Sequence, residues 1–274
     1  MIFWDGVSSK IEISNAVKGN KDIYIVNRFL GIGSFNNSDL ANGNVFLKQY
    51  TQPIKKHENF LKFKYRLEKI YTKINNLTFT ENIIEIFEYE EYCFIARGYE
   101  KAKTLKKFIS QNPSINDRIE LLQKLILPLF EIHQNDIVHT DLKPEQFLIL
   151  EDKIILIDFD HCIDEGLNIY APAKTNYWYS PEHLKNVISF HSDVFSFGLI
   201  VYKLLTNIHP FYKKIKEGKY EEAILKKSEY IPINEIYKNT LPIHLADCID
   251  SMLEPDFKNR PSTAEIYEIF INLY

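Results

Sequence analysis

The chain has 274 residues, 45% of them hydrophobic and 26% charged. That exceeds one small module, and the balance can fill a core, which excludes a disordered, fibrous or collagen-like protein. A formal net charge of −4 supplies no global basic field, so neither nucleic acid nor a membrane surface is expected as a partner. Cys93, Cys162 and Cys248 are isolated and odd in number, which suits neither a disulfide framework nor a structural zinc site. Residues 1–6 carry no secretory pattern, and the most apolar stretch, 194–205, is too short to span a bilayer. A cytoplasmic protein is expected, with export into another cell left open.

Short apolar runs punctuated by turn signals occupy the first hundred residues. Residues 23–26, 45–47 and 93–96 read as strands, and Asn42-Gly43 as a hairpin turn before the second of them. Residues 60–74 place Leu61, Tyr65, Leu67, Ile70, Tyr71 and Ile74 at helical spacing. Beyond residue 100 helices dominate. Ser114-Ile115-Asn116-Asp117 resembles a helix start, Ile119, Leu122, Ile126 and Leu129 share a face, and Pro128 is expected to kink the helix or mark an irregular turn. The expected class is α+β, one domain over 1–274 with a small strand-rich lobe at 1–97 and a larger helical lobe at 98–274.

The chemistry concentrates in His139-Thr140-Asp141-Leu142-Lys143-Pro144-Glu145-Gln146, followed by apolar runs on either side of Glu151-Asp152-Lys153 and then by Asp158. A three-residue connection centred on Asp152 would set Leu150 opposite Ile154 and Gln146 opposite Asp158. Directly opposite residues have Cβ atoms about 4.5–5.5 Å apart, so an amide oxygen and a carboxylate are expected to share one hard cation. Asp141, just upstream, is placed to accept a proton from a hydroxyl, and Lys143 to neutralise charge on a transferring phosphoryl group.

These residues resemble the protein kinase family, whose catalytic loop, metal-binding motif and later Pro-Glu motif appear here as His139-Thr140-Asp141, Gln146, Asp158-Phe159-Asp160 and Ser180-Pro181-Glu182. Ser192-Asp193-Val194-Phe195-Ser196-Phe197-Gly198 is similar to the family's central helix, whose Asp braces the catalytic loop, and Arg260 to the arginine that pairs with Glu182. Leu30-Gly31-Ile32-Gly33-Ser34-Phe35 resembles the glycine-rich loop over ATP phosphates, with Asn36 in place of the third glycine. Lys48 matches the strand lysine at the α/β-phosphates, with Glu68 chosen over Glu58 as its partner. Residues 95–99 match the segment that joins the lobes and faces adenine. The resemblance implies a bilobal kinase-like fold, ATP with Mg²⁺ or Mn²⁺ held by Gln146 and Asp158, Asp141 as base, and a protein substrate. Lys143 and Thr175 favour Ser/Thr hydroxyls over phenols as acceptors.

Several residues depart from the family pattern. Thr140 stands where Arg commonly binds an activation-loop phosphate, and Thr175 supplies the loop's lone Ser/Thr acceptor, so activity is expected not to require loop phosphorylation. Gln146 is one methylene longer than the usual Asn, which should favour Mn²⁺ over Mg²⁺. Phe46 replaces a small Ala beside adenine. These departures keep open a pseudokinase acting as a binding or scaffold module. Ile157-Asp158-Phe159-Asp160 also resembles the acidic motif of aminoglycoside and choline kinases, a third class. Lys55-Lys56 and Lys213-Lys214-Ile215-Lys216 read as solvated faces, His133, His161 and His183 show no metal-ligand spacing, and Cys162 reads as a small buried filler.

Overall fold

The computed structural model describes residues 16–32, 36–50, 58–90, 92–99, 101–164, 177–238 and 240–273. The chain divides into two units, Met1–Asn76 with Glu81–Lys101, and Leu77–Thr80 with Ala102–Tyr274. Strands dominate the first and helices the second, as the α+β expectation has it.

The first unit holds one antiparallel sheet of six strands: β1 (Ala16–Lys18), β2 (Ile23–Ile32), β3 (Asn36–Ala41), β4 (Val45–Tyr50), β5 (Ile83–Tyr89) and β6 (Tyr92–Gly98). Their order is β1-β2-β3-β4-β6-β5, and helix α1 (Glu58–Ile74) lies between β4 and β5 in the chain. Period-2 alternation buries Val45 and Leu47 on one face of β4, where they join Val17, Tyr24, Val26, Ala41, Phe87, Phe94 and Ala96 in one core. The rings of Tyr24 and Phe94 stack on Phe87 with centroids 5.4 and 5.3 Å away.

The turn chemistry explains the pairing. Asn42 and Gly43 both take positive φ, 48° and 76°, and the Asn42 amide accepts from Ile25 N at 2.8 Å and donates to Ile23 O at 2.9 Å. The β1–β2 turn is closed by the Glu85 carboxylate, which accepts from Asn20 N at 2.8 Å and the Tyr24 hydroxyl at 2.6 Å. A Cβ at Gly19 would meet Glu85 Oε1 at 2.4 Å and the Tyr24 ring at 2.7 Å, so a side chain there would force the carboxylate and ring that close the turn to shift. In α1 the buried stripe is Leu67, Ile70, Tyr71 and Ile74. Tyr65, expected on that stripe, is 71% exposed: it precedes Leu67 by two positions, and residues two apart on a helix do not share a face.

In the second unit, β7 (Lys103–Thr104), β9 (Phe147–Ile149) and β10 (Ile154–Leu156) form a small sheet in the order β10-β9-β7, and β8 (Ile137–Val138) pairs with β11 (Ile163–Asp164). Helix α2 (Leu105–Ser110) is capped by Thr104. Helix α3 (Ile115–Gln134) opens with a capping box between Ser114 and Asp117, as its sequence suggested. It continues through Pro128, so the expected irregular turn does not interrupt it there. The missing N–H costs a hydrogen bond, but Leu125, Ile126, Leu129 and Ile132 are fully buried around it, and that packing outweighs the lost bond.

Helix α4 (Phe190–Thr206) is buried along most of its length. A Cβ on its Gly198 would meet Met252 Cβ at 2.9 Å, so glycine lets α8 (Ile243–Met252) pack against it. Helices α7 (Ile233–Ile236) and α9 (Thr263–Ile271) pack on α8, and α5 (Tyr212–Lys216) packs on α6 (Tyr220–Lys226). Buried Arg118 of α3 donates to Leu204 O at 3.0 Å and Leu205 O at 2.7 Å, satisfying carbonyls that the last turn of α4 would leave unpaired. Lys214 pairs with Glu217 and Glu229 at 2.9 and 2.8 Å, so the basic face of α5 is partly neutralised by its own unit.

Glu182 and Arg260 form a buried, two-pronged pair, Nη1 to Oε1 at 2.6 Å and Nη2 to Oε2 at 3.0 Å, as the resemblance implied. Arg260 also donates to the carbonyls of His191, Glu254 and Pro255. Burial acts to raise the Glu182 pKa, but Arg260 outweighs it and holds the carboxyl below its ordinary value. A depressed carboxyl stabilises the fold above the ordinary range near pH ~4.3, and that contribution is lost as pH falls through the folded value. Arg260→Leu should lower the unfolding free energy by about 3–5 kcal/mol, because it strands a buried charge. Urea denaturation at neutral pH checks this, and a loss below about 1 kcal/mol would show the pair to be dispensable.

Candidate active site

The loop after β8 is built around one carboxylate. Asp193, in the first turn of α4, accepts from His139 N at 2.6 Å through Oδ2 and from Thr140 N at 2.8 Å through Oδ1. His133 of α3 adds a ring nitrogen at 3.1 Å from Oδ2. Thr140 adopts φ 68°, a left-handed conformation that a β-branched residue takes only when its surroundings impose it. Those surroundings are visible: its hydroxyl donates to His161 O at 2.9 Å, and its carbonyl accepts from His183 Nε2 at 3.3 Å. The Thr140 hydroxyl is thereby used within the unit. Cys162 is fully buried with Sγ 3.5 Å from His139 O.

Asp141 follows on this braced backbone and is buried. Lys143 Nζ stands 2.6 Å from Asp141 Oδ2, and Gln146 Nε2 lies 3.5 Å from the same oxygen. Among the described residues, the hydrogen bonds to this carboxylate both fall on Oδ2. Pro144–Gln146 form a turn of 3-10 helix, which carries the Gln146 side chain back toward Asp141.

The β9–β10 register differs by one residue from the expected pairing. Ile149 faces Ile154, Leu148 faces Ile155 and Phe147 faces Leu156, because the connection has four residues and closes with Leu150 N donating to Lys153 O at 2.9 Å. Gln146 therefore stands opposite Ile157, whose N–H donates to Gln146 O at 3.0 Å. In a continuing ladder a one-residue slip would send the Asp158 side chain to the other face. The strand instead ends at Leu156, and Asp158 turns left-handed at φ 72°, ψ 60°. That turn brings its Oδ2 to 3.4 Å from Gln146 Nε2. Asp141, Lys143, Gln146 and Asp158 thus converge within the second unit.

Among the described residues no group of three or more His, Cys, Asp or Glu side chains is arranged to hold a metal, and His133, His161 and His183 are not brought together as ligands. A cation here would be held by Asp158 together with oxygens of a bound nucleotide, the sparse protein ligation that magnesium accepts.

In the first unit, Lys48 lies on β4 opposite Ser38 and Ile95, its Nζ 5.7 Å from the Tyr50 ring centroid. Glu68 is exposed on α1 and stands 3.8 Å from Lys64 one turn earlier. Gly31 pairs with Ser38 next to a register shift in β2, where a strand glycine commonly marks a bulge. Gly33, Lys55-Lys56 and Thr175 lie outside the described residues, and so does the Glu58 side chain. Phe46 is paired with Arg97 across β4 and β6. The Arg97 guanidinium sits 3.9 Å from the Phe46 ring centroid, and its Nε is 3.1 Å from buried Glu81. This ring–cation–carboxylate column was not anticipated from sequence, since Glu81 and Arg97 are separated by a strand and a turn.

The protein kinase domain family matches residues 24–270, and the chain belongs to the protein kinase family. It is 27% identical over 211 residues to a probable serine/threonine-protein kinase of Clostridium perfringens, covering 73% of this chain and 30% of that protein. A second probable serine/threonine-protein kinase, from Clostridium acetobutylicum, is 28% identical over 82% of this chain and 35% of its own length. A probable cell division protein kinase of Encephalitozoon cuniculi is 30% identical over 62% of this chain and 67% of its own. The chain thus spans about a third of the length of the first two curated relatives. No helix among the described residues is long and apolar enough to cross a membrane.

Burial lowers the pKa of His139, His183 and His209, the last to about 4. Unfolded histidine titrates near ~6.5, so below that pH the unfolded chain binds protons that the folded histidines refuse, and stability rises with pH through this window. The melting temperature should therefore fall steadily from pH 6.5 to 4.5 and be nearly flat from 7 to 8. His209→Gln should reduce the slope on the acid side, and a melting temperature independent of pH below 6.5 would contradict the assignment of these rings as neutral.

Proposed function

We propose that this chain transfers the γ-phosphoryl group of ATP to a Ser or Thr hydroxyl of a protein. The observation that carries the proposal is Asp141: a buried carboxylate with one oxygen held by Lys143 and the other available. The hydroxyl oxygen attacks γ-phosphorus, the bond from phosphorus to the β–γ bridging oxygen breaks, ADP leaves, and the hydroxyl proton passes to Asp141 Oδ1. Asp158 is the residue that would hold Mg²⁺ or Mn²⁺, and the cation, when bound, supplies charge neutralisation at the phosphates. Lys143 balances charge near the base. Phosphate contacts for Lys48, Gly31 and Gly33, and the pairing of Lys48 with Glu68, enter on the family resemblance alone. The relatives named as serine/threonine kinases support a protein substrate over an aminoglycoside or amino alcohol. A cytoplasmic location and the extent of the kinase domain over the whole chain belong to the same proposal.

Asp141→Asn should abolish labelling of a generic basic protein, or of the chain itself, by radioactive ATP with Mg²⁺ or Mn²⁺ while leaving the thermal melt in place. Labelling by the variant at the parent's rate would remove Asp141 from the role of base. Labelling of an added aminoglycoside or choline alone would instead favour the small-molecule class.

A second reading, a pseudokinase, is favoured by the Phe46–Arg97–Glu81 column. If Phe46 stands beside adenine, as the resemblance implies, the ring and its stacked guanidinium narrow the base site, and the ion pair with Glu81 resists their displacement. Phe46→Ala should tighten ATP binding by roughly tenfold, or ~1.4 kcal/mol, as read by calorimetry with Mn²⁺. No binding in the parent, restored in the variant, would favour the pseudokinase; equal affinities would show that the ring stands clear of the base.

A further inference from the structure

Gln146 was expected to ligate a cation through its amide oxygen. We propose instead that Gln146 is a positioning residue whose amide nitrogen bridges the Asp141 and Asp158 carboxylates. The proposal rests on the phosphotransfer reading and deepens it. Gln146 is 2% exposed, so its polar atoms are satisfied by protein groups. Its Oε1 accepts from the backbone N–H of Lys143 at 3.0 Å. A backbone N–H can be matched only by an acceptor, so this contact orients the whole terminal amide. Rotating the amide by half a turn would set NH₂ against N–H and leave a buried donor unsatisfied, at about 1–3 kcal/mol.

With the oxygen held behind, Nε2 faces forward, 3.5 Å from Asp141 Oδ2 and 3.4 Å from Asp158 Oδ2. An amide nitrogen carries two N–H groups, one for each carboxylate. Two like charges held this close destabilise each other, and a shared donor reduces that cost without adding a formal charge. The methylene that distinguishes Gln from Asn provides the reach: the oxygen closes onto Lys143 N within the 3-10 turn while the nitrogen still extends between the carboxylates. A cation on Asp158 would then face a donor at this position, where the family pattern offers an oxygen, and its protein ligation would come from Asp158.

The test is a Mn²⁺ titration of the full chain, followed by electron paramagnetic resonance, with a non-hydrolysable ATP analogue present. The variants are Gln146→Met, which keeps volume and removes both amide atoms, and Gln146→Leu should the first fail to fold. Bridging predicts Mn²⁺ affinity within threefold of the parent, together with a kcat for protein labelling at least tenfold lower and an unchanged KM for nucleotide. A tenfold or greater loss of Mn²⁺ affinity in these variants would make the amide oxygen a ligand and overturn the proposal, as would parental values for both affinity and kcat. Asp158→Asn separates the two levels: it should lose Mn²⁺ binding, and retention of parental affinity would defeat the phosphotransfer reading itself.

Discussion

The second unit depends on how Asp193 is placed. A single carboxylate, delivered by the first turn of a helix that is buried along most of its length, accepts hydrogen bonds from two consecutive backbone N–H groups and from a histidine of a neighbouring helix. Burying a carboxylate costs several kcal/mol unless its oxygens are saturated with donors. The saturation here comes from the very backbone that must carry Asp141. The requirement to satisfy a buried charge and the requirement to hold the loop in a left-handed bend at Thr140 are therefore met by the same contacts. Helix α4 is surrounded by core, and Asp193 ties the loop backbone to it.

The same principle recurs at Glu182, Arg260 and Arg118, three further buried charges of this unit. Glu182 is saturated by Arg260 and by Ser192, and Arg260 spends its remaining N–H groups on main-chain carbonyls. Arg118 closes the end of α4 in a similar way. Each guanidinium has more fixed donors than one carboxylate can accept, so it ties together segments distant in sequence. At Asp141 the pattern changes: the contacts described for it gather on one oxygen.

In the first unit the sheet is organised by ordinary means, alternation and turn residues, but two polar groups control its details. Glu85 closes the β1–β2 turn and holds the Tyr24 hydroxyl, raising that phenol well above its usual range, chiefly through burial. Glu81 anchors Arg97, which in turn covers Phe46. A cation over an aromatic face gains more where water is excluded, and the guanidinium that covers Phe46 is itself anchored by Glu81.

Much of this was legible in the residues alone. The alternating runs, the Asn42-Gly43 turn, the Ser114 helix start and the α+β division follow from local rules of periodicity and capping, which need no knowledge of neighbours. The cluster of Asp141, Lys143, Gln146 and Asp158 was legible because its members lie within eighteen positions and their chemistry is sparse. Tertiary structure decided what local rules cannot. Pro128 remained within α3 because the packing around it outweighs one missing hydrogen bond, and the hairpin register shifted by one because the turn took four residues. The direction of the Gln146 amide was settled by the Lys143 N–H, a backbone group that has no signature in the sequence, and the stacking of Arg97 on Phe46 by a strand pairing fifty residues apart. Residue types determine which chemistry is available, whereas the orientation of each polar atom depends on which partner the fold brings within hydrogen-bond range.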